Sequence, residues 1–168
     1  MVVEQSDIHF RLSGGSSNAV VNNSLGGAMS SASITNASFE NMFDSVSNGE
    51  ATVGDTEYRC FYVRNNHVSD ELTSTVIWIA SSTVSTNDEV DIGLGTSAIN
   101  GTEQIVPNES TAPAGVSFSH PTSKATGLTI GTLDGGWHKA FWVKRIVNAA
   151  AQQFENNSFT LAVEGDSV

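Results

Sequence analysis

Four histidines, three tryptophans and one local run of carboxylates are the residues whose chemistry could amount to a site. Imidazoles bind zinc when three or four ligands converge, either at close spacing or through the fold. His9, His67, His120 and His138 lie in four separate segments without ligand spacing, so they read as surface or strand-end residues and no metal is expected. Asp88, Glu89 and Asp91 could present oxygens to calcium if backbone carbonyls completed the shell. The EF-hand pattern is absent, and Asp91 alternates with Val90 and Ile92, so a solvated strand face is the plainer reading. Trp78, Trp137 and Trp142, with Tyr58 and Tyr62, could stack on sugar rings if they faced solvent. Trp78 and Trp142 sit in strongly apolar runs, where a core role is the default. Trp137 follows Gly135-Gly136 and reads as exposed, but one ring is not a platform.

The chain has no Gly-x-Ser-x-Gly elbow, no His-Glu-x-x-His and no Walker-type phosphate loop. It reads as a non-enzyme, with no catalytic residues and no cofactor. Its one cysteine, Cys60, lies in the apolar run 57–63 and reads as a small buried side chain, not a reactive thiol. The five Asn-x-Ser/Thr sequons, at Asn22, Asn36, Asn100, Asn108 and Asn156, follow from the abundance of Asn, Ser and Thr.

Charge narrows the partners. Eighteen acids against seven bases give a net charge of −11, a field that repels phosphate backbones and anionic membranes. Neither nucleic acid nor membrane is an expected partner. The opening Met1–Leu12 lacks a signal-peptide pattern, and no apolar run reaches membrane-spanning length, so a soluble chain is expected.

The elements that must position these residues are strands. Charged residues make up only 15% of 168, and uncharged polar residues are common, which suits strands and turns better than helices. The runs 56–64 and 73–80 are apolar on both faces, as in central strands, joined by a hairpin-like connection at 65–71. Val90, Ile92 and Leu94 alternate with polar or small neighbours, and 96–114 reads as a surface loop. Val116 and Phe118 begin a short strand. Leu128–Leu133, Ala140–Val147 and Phe159–Val163 close the chain, with Lys144-Arg145 hinting at a bulge or a strand end near Lys144. The reading is an all-β, antiparallel, immunoglobulin-like β-sandwich of about seven or eight strands over residues 48–168. Tyr58, Phe61, Ile77, Trp78, Ile92, Phe141 and Leu161 are expected in its core.

Residues 1–47 read as an extended N-terminal arm. Ile8, Phe10 and Leu12 alternate with His9 and Arg11, an apolar edge suited to docking on a partner. The stretch 13–33 is rich in Gly, Ser and Asn, with too little apolar surface to fold alone. Phe39, Met42, Phe43 and Val46 share one face of a possible short helix, or belong to an irregular linker.

Four stretches carry a family resemblance: Ser6–Gly15 (SDIHFRLSGG), Ser24–Ser31 (SLGGAMSS), Gly54–Val63 (GDTEYRCFYV) and Ser158–Asp166 (SFTLAVEGD). In their texture and order the whole chain resembles small virion structural proteins of tailed bacteriophages. The resemblance implies a homo-oligomeric protein in the virion, assembled in the host cytoplasm, with the major capsid protein or other virion proteins as partners. A capsid decoration or cement role is the first expectation. A neck, tail or fibre component is the second, and a carbohydrate-binding or adhesion module the third.

Overall fold

The strand β3 (Asp55–Asn65) is apolar on both faces and anchors the fold: Phe61 and Val63 are fully buried on one side, Cys60 and Tyr62 on the other. The computed structural model describes residues 2–82, 85–155 and 157–167. Among them the chain is all-β, with antiparallel sheets and a single six-residue α-helix. The other strands are β1 (Ile8–Leu12), β2 (Gly26–Gly27), β4 (Leu72–Ser82), β5 (Asp88–Leu94), β6 (Glu103–Ile105), β7 (Leu128–Leu133), β8 (His138–Val147) and β9 (Phe159–Ser167). Four strands form one sheet in the order β1-β3-β8-β5. Three form another in the order β7-β4-β9, and β2 pairs with β6 alone. Every step from one strand to the next in sequence changes sheet.

The layering is sandwich-like. Phe61 and Val63 of β3, Phe141 and Val143 of β8 and Ile92 of β5 meet Ile77 and Ile79 of β4 and Ile130 and Leu133 of β7 in one buried cluster. Each such side chain, fully buried, stabilises the fold by roughly 1.5–3 kcal/mol. The outer face of the four-stranded sheet carries a second cluster of Cys60, Tyr62, Ala140, Trp142 and Val106, roofed by Leu25, Met29, Val116 and Phe118.

Several expectations are corrected. The 65–71 connection is a crossing between sheets, not a hairpin. The Asn65 amide donates to the Asp70 and Leu133 carbonyls, which fixes the turn without strand pairing. No helix forms at 38–46. That segment is irregular and buries Met42 and Phe43 while leaving Phe39 exposed. The helix α1 is Asn48–Val53, started by a reciprocal Ser47–Glu50 capping box and ended at Gly54, whose φ of 82° favours glycine. The 96–114 excursion contains β6, and Val116–Phe118 forms no strand; Ser119 makes a single bridge to Ile92. No bulge interrupts β8, whose register with β3 runs unbroken from Asp55↔Val147 to Arg64↔His138. Of the expected core, Phe61, Ile77, Ile92 and Phe141 are fully buried. Tyr58, Leu161 and Trp78 are half-buried. Trp78 pairs with Ala162 and has the opposite parity to Ile77 and Ile79, so it faces outward.

The described residues 2–47 do not form a free arm. β1 is an edge strand of the four-stranded sheet, with Leu12 buried and Phe10 edge-on to Phe141 at 5.7 Å. Its far edge is already taken, since the Leu12 amide donates to the Ala32 carbonyl and the Ile34 amide to that of Phe10. The polar stretch between them folds back because it satisfies its own backbone, Gly15 to Ala28 and Ser31 to Ser16 among others.

Candidate functional site

One polar centre is built into the four-stranded sheet, where strand parity explains it, and a second lies over the outer face of that sheet on β6. Glu57 and Arg59 share the inward face of β3 with Phe61 and Val63, and Arg145 shares that of β8 with Val143. Glu57 and Arg145 lie directly opposite, and the Arg145 Nε donates to the Glu57 carboxylate at 2.6 Å. Arg145 also donates to the Asp44 carbonyl at 2.7 Å. The Arg59 guanidinium, fully buried, binds Glu109 and approaches Asp44 at 3.4 Å and Glu57 at 3.9 Å. Both guanidinium groups lie over the Phe43 ring, at 5.6 Å and 4.8 Å. Burial pushes the Glu57 carboxyl above its usual range, and the two arginines oppose that rise. This knot ties the N-terminal segment and the Glu109 loop to the end of the core.

The second centre is Glu103. Tyr62 reaches through the outer cluster, donating its hydroxyl to the Gly27 carbonyl at 2.6 Å and accepting from the Glu103 amide at 3.0 Å. Burial pushes the Tyr62 phenol up to about 12. The Glu103 carboxylate accepts from the Ser97 amide at 2.9 Å and from the Thr96 amide and hydroxyl at 3.2 and 3.1 Å. Burial disfavours its charge, but the hydrogen bonds from Ser97, Thr96 and Gln104 outweigh that and bring its pKa down to about 2. Gly95 makes room for it, because a Cβ there would lie 2.3 Å from a Glu103 oxygen.

The exterior is acidic. Of the seven bases Lys124 alone is exposed, and it pairs with Glu164 at 2.7 Å. Phe39, 83% exposed, borders a shallow groove of about 330 Å³ formed with Leu12, Val20, Val21 and Ile34. No protein-family model, curated protein or solved structure matches the chain.

The residues singled out by the sequence are dispersed. Ile8, Phe10 and Leu12 pack against the chain's own core. Among the described residues, the groups of three or more possible metal ligands are Asp44, Glu57 and Glu109, and Glu50, Asp55 and Glu57, none of which includes a histidine. The His67 ring accepts from the Ser69 and Asp70 amides, and His138 stands edge-on to Tyr62 at 5.1 Å. His9 meets the Ser6 carbonyl and His120 that of Val90. Asp88, Glu89 and Asp91 do not converge: Asp91 pairs with Lys144 at 2.6 Å, Asp88 accepts from Asn157, and Glu89 is exposed. Trp142 is fully buried, whereas Trp137 is 40% exposed. Among the described residues no helix is long and apolar enough to cross a membrane.

The sequence reading missed both polar centres. The signal for the first was three charged residues at inward positions of otherwise apolar strands. For Glu103 no local signal exists, because its strand partner is Gly27.

Proposed function

We propose that this chain is a non-enzymatic structural protein of a tailed-bacteriophage virion, bound to the head shell in many copies as a decoration or cement protein. The observation that carries the proposal is the segregation of charge. Six of the seven bases are drawn into the fold, so an acidic exterior surrounds the exposed Phe39. A surface of that kind complements a basic, partly apolar protein surface, with the major capsid protein as the partner. The four resembling stretches supply the virion context, including assembly in the host cytoplasm and a homo-oligomeric state. Docking by Ile8, Phe10 and Leu12 would require those residues to leave their own sheet, so contact is assigned to the exterior near Phe39 instead.

The test is the copy number and position of the protein in purified virions, by quantitative mass spectrometry and electron microscopy. Hundreds of copies on the shell support decoration. A few tens or fewer favour a neck, tail or fibre component, and absence from particles overturns the virion reading. The facing sheets and the change of sheet at every step support an immunoglobulin-like sandwich of seven strands, with the β2-β6 ribbon apart. An experimental structure in which the sheets do not face each other overturns that. The exposure of Trp137 favours a second reading, a carbohydrate-binding module, which binding on a glycan array would support.

A further inference from the structure

Among the described residues, the outer face of the four-stranded sheet holds the one concentration of unneutralised cations. Register puts His9 opposite Arg64 and Arg64 opposite His138, a row across β1, β3 and β8. Arg11, two residues beyond His9, stands on the same face opposite Tyr62, diagonal to Arg64. Diagonal cross-strand neighbours lie about 7–8 Å apart, within reach of long side chains. Burial lowers the Arg11 pKa first, and the charge on Arg64 lowers it further.

The other five bases all have partners. Arg59, Arg145, Lys144 and Lys124 meet carboxylates, and Lys139 donates to the Gly95 and Ser97 carbonyls. Among the described residues, no carboxylate pairs with Arg11 or Arg64. Arg11 donates one bond to the Ser31 carbonyl, and the Nε atoms of both arginines are buried without a hydrogen-bond partner. Two half-buried arginines side by side, unneutralised in a chain of net charge −11, are costly unless something anionic joins them. The absence of a side chain at Gly136 leaves the Arg64 Nη2 uncrowded on that side, since even a Cβ there would lie 4.0 Å away. Burial lowers the pKa of His138, and the neighbouring charge on Arg64 lowers it further.

We infer that Arg11 and Arg64 form a binding site for an oxyanion, gripped by guanidinium donors from adjacent strands. Two sources offer that chemistry: a free anion such as phosphate, or a carboxylate presented by a second copy of this acidic chain. Inorganic phosphate is the probe. Titrated against isotope-labelled protein, it should shift the Arg11 and Arg64 side-chain resonances and raise the melting temperature. R11Q/R64Q should weaken binding at least tenfold and abolish the melting shift. R64K should retain binding but weaken it, because the charge remains and the fork is lost. Sedimentation separates the sources: a carboxylate from a second copy predicts self-association that phosphate dissociates and R11Q/R64Q prevents. A free anion predicts a monomer that binds phosphate. Without phosphate, R11Q alone should melt no lower than the parent, since it relieves repulsion; a sharp drop would make Arg11 purely structural and overturn the inference. Phosphate binding unchanged in R11Q/R64Q, or neither phosphate binding nor self-association, overturns it too.

Discussion

Replacing Glu103 by glutamine tests whether one buried carboxylate sets the acid sensitivity of this fold. A carboxyl whose pKa falls from 4.5 to about 2 on folding stabilises the folded state by about 3 kcal/mol at neutral pH. The folded state holds that proton less tightly than the unfolded chain. The stabilisation is therefore fully present above pH 4.5 and is lost as the pH falls toward about 2. Glutamine fills the same space, but it turns an amide toward the Ser97 or Thr96 donor that the second oxygen now satisfies. Urea unfolding followed by tryptophan fluorescence, from pH 7 to pH 2, measures both proteins. E103Q should be less stable by about 3 kcal/mol at pH 7, and the two curves should converge near pH 2. Glu57, with its pKa raised, contributes the opposite slope, because its folded form gains protons first as the pH falls. That contribution is common to both proteins and cancels in the difference. A difference below about 1 kcal/mol, or one that does not change with pH, would refute the assignment.

Arg59→Met should cost about 3–5 kcal/mol by urea unfolding, because it leaves the buried Glu57 with Arg145 alone. Adding Glu57→Gln should recover part of that loss. Trp142→Ala should cost about 3–5 kcal/mol, whereas Trp78→Ala on the outer face should cost less than about 2 kcal/mol. Trp142→Phe should be mild, since the buried indole Nε1 makes no hydrogen bond.

The strands were legible wherever apolar residues alternate or fill both faces, as at 56–64, 73–80 and 128–133. Their pairing was not, because the hydrogen-bonded neighbour of each strand is distant in sequence. The apparent parity break at Lys144-Arg145 illustrates the difficulty. It suggests a bulge when the strand is read alone, but Arg145 points inward to meet Glu57 on a neighbouring strand. The arm reading failed for a related reason. Apolar content alone says that 13–33 cannot fold, yet its backbone bonds partly within the stretch and partly to β1, β3 and the β6 segment, and its Leu25 and Met29 roof Tyr62 and Trp142. Helix α1 was missed: its signal is the Ser47–Glu50 capping box, whereas the apolar spacing of 39–46 pointed to a helix one segment too early.

The change of sheet at every step also bears on how the chain reaches this state. Among the described residues no strand can zip onto its immediate successor, so no such hairpin is available as a local nucleus. β1 must wait for β3, some fifty residues later, and β4 gains its β9 neighbour only when the last strand described has been made. Closing such loops before any pairing rewards them places this topology among slow folders, on the order of milliseconds to seconds. During synthesis the completed β3 and β4 would expose apolar faces for as long as β8 and β9 take to arrive, and that interval is when the nascent chain is most open to capture by a chaperone or by another copy of itself.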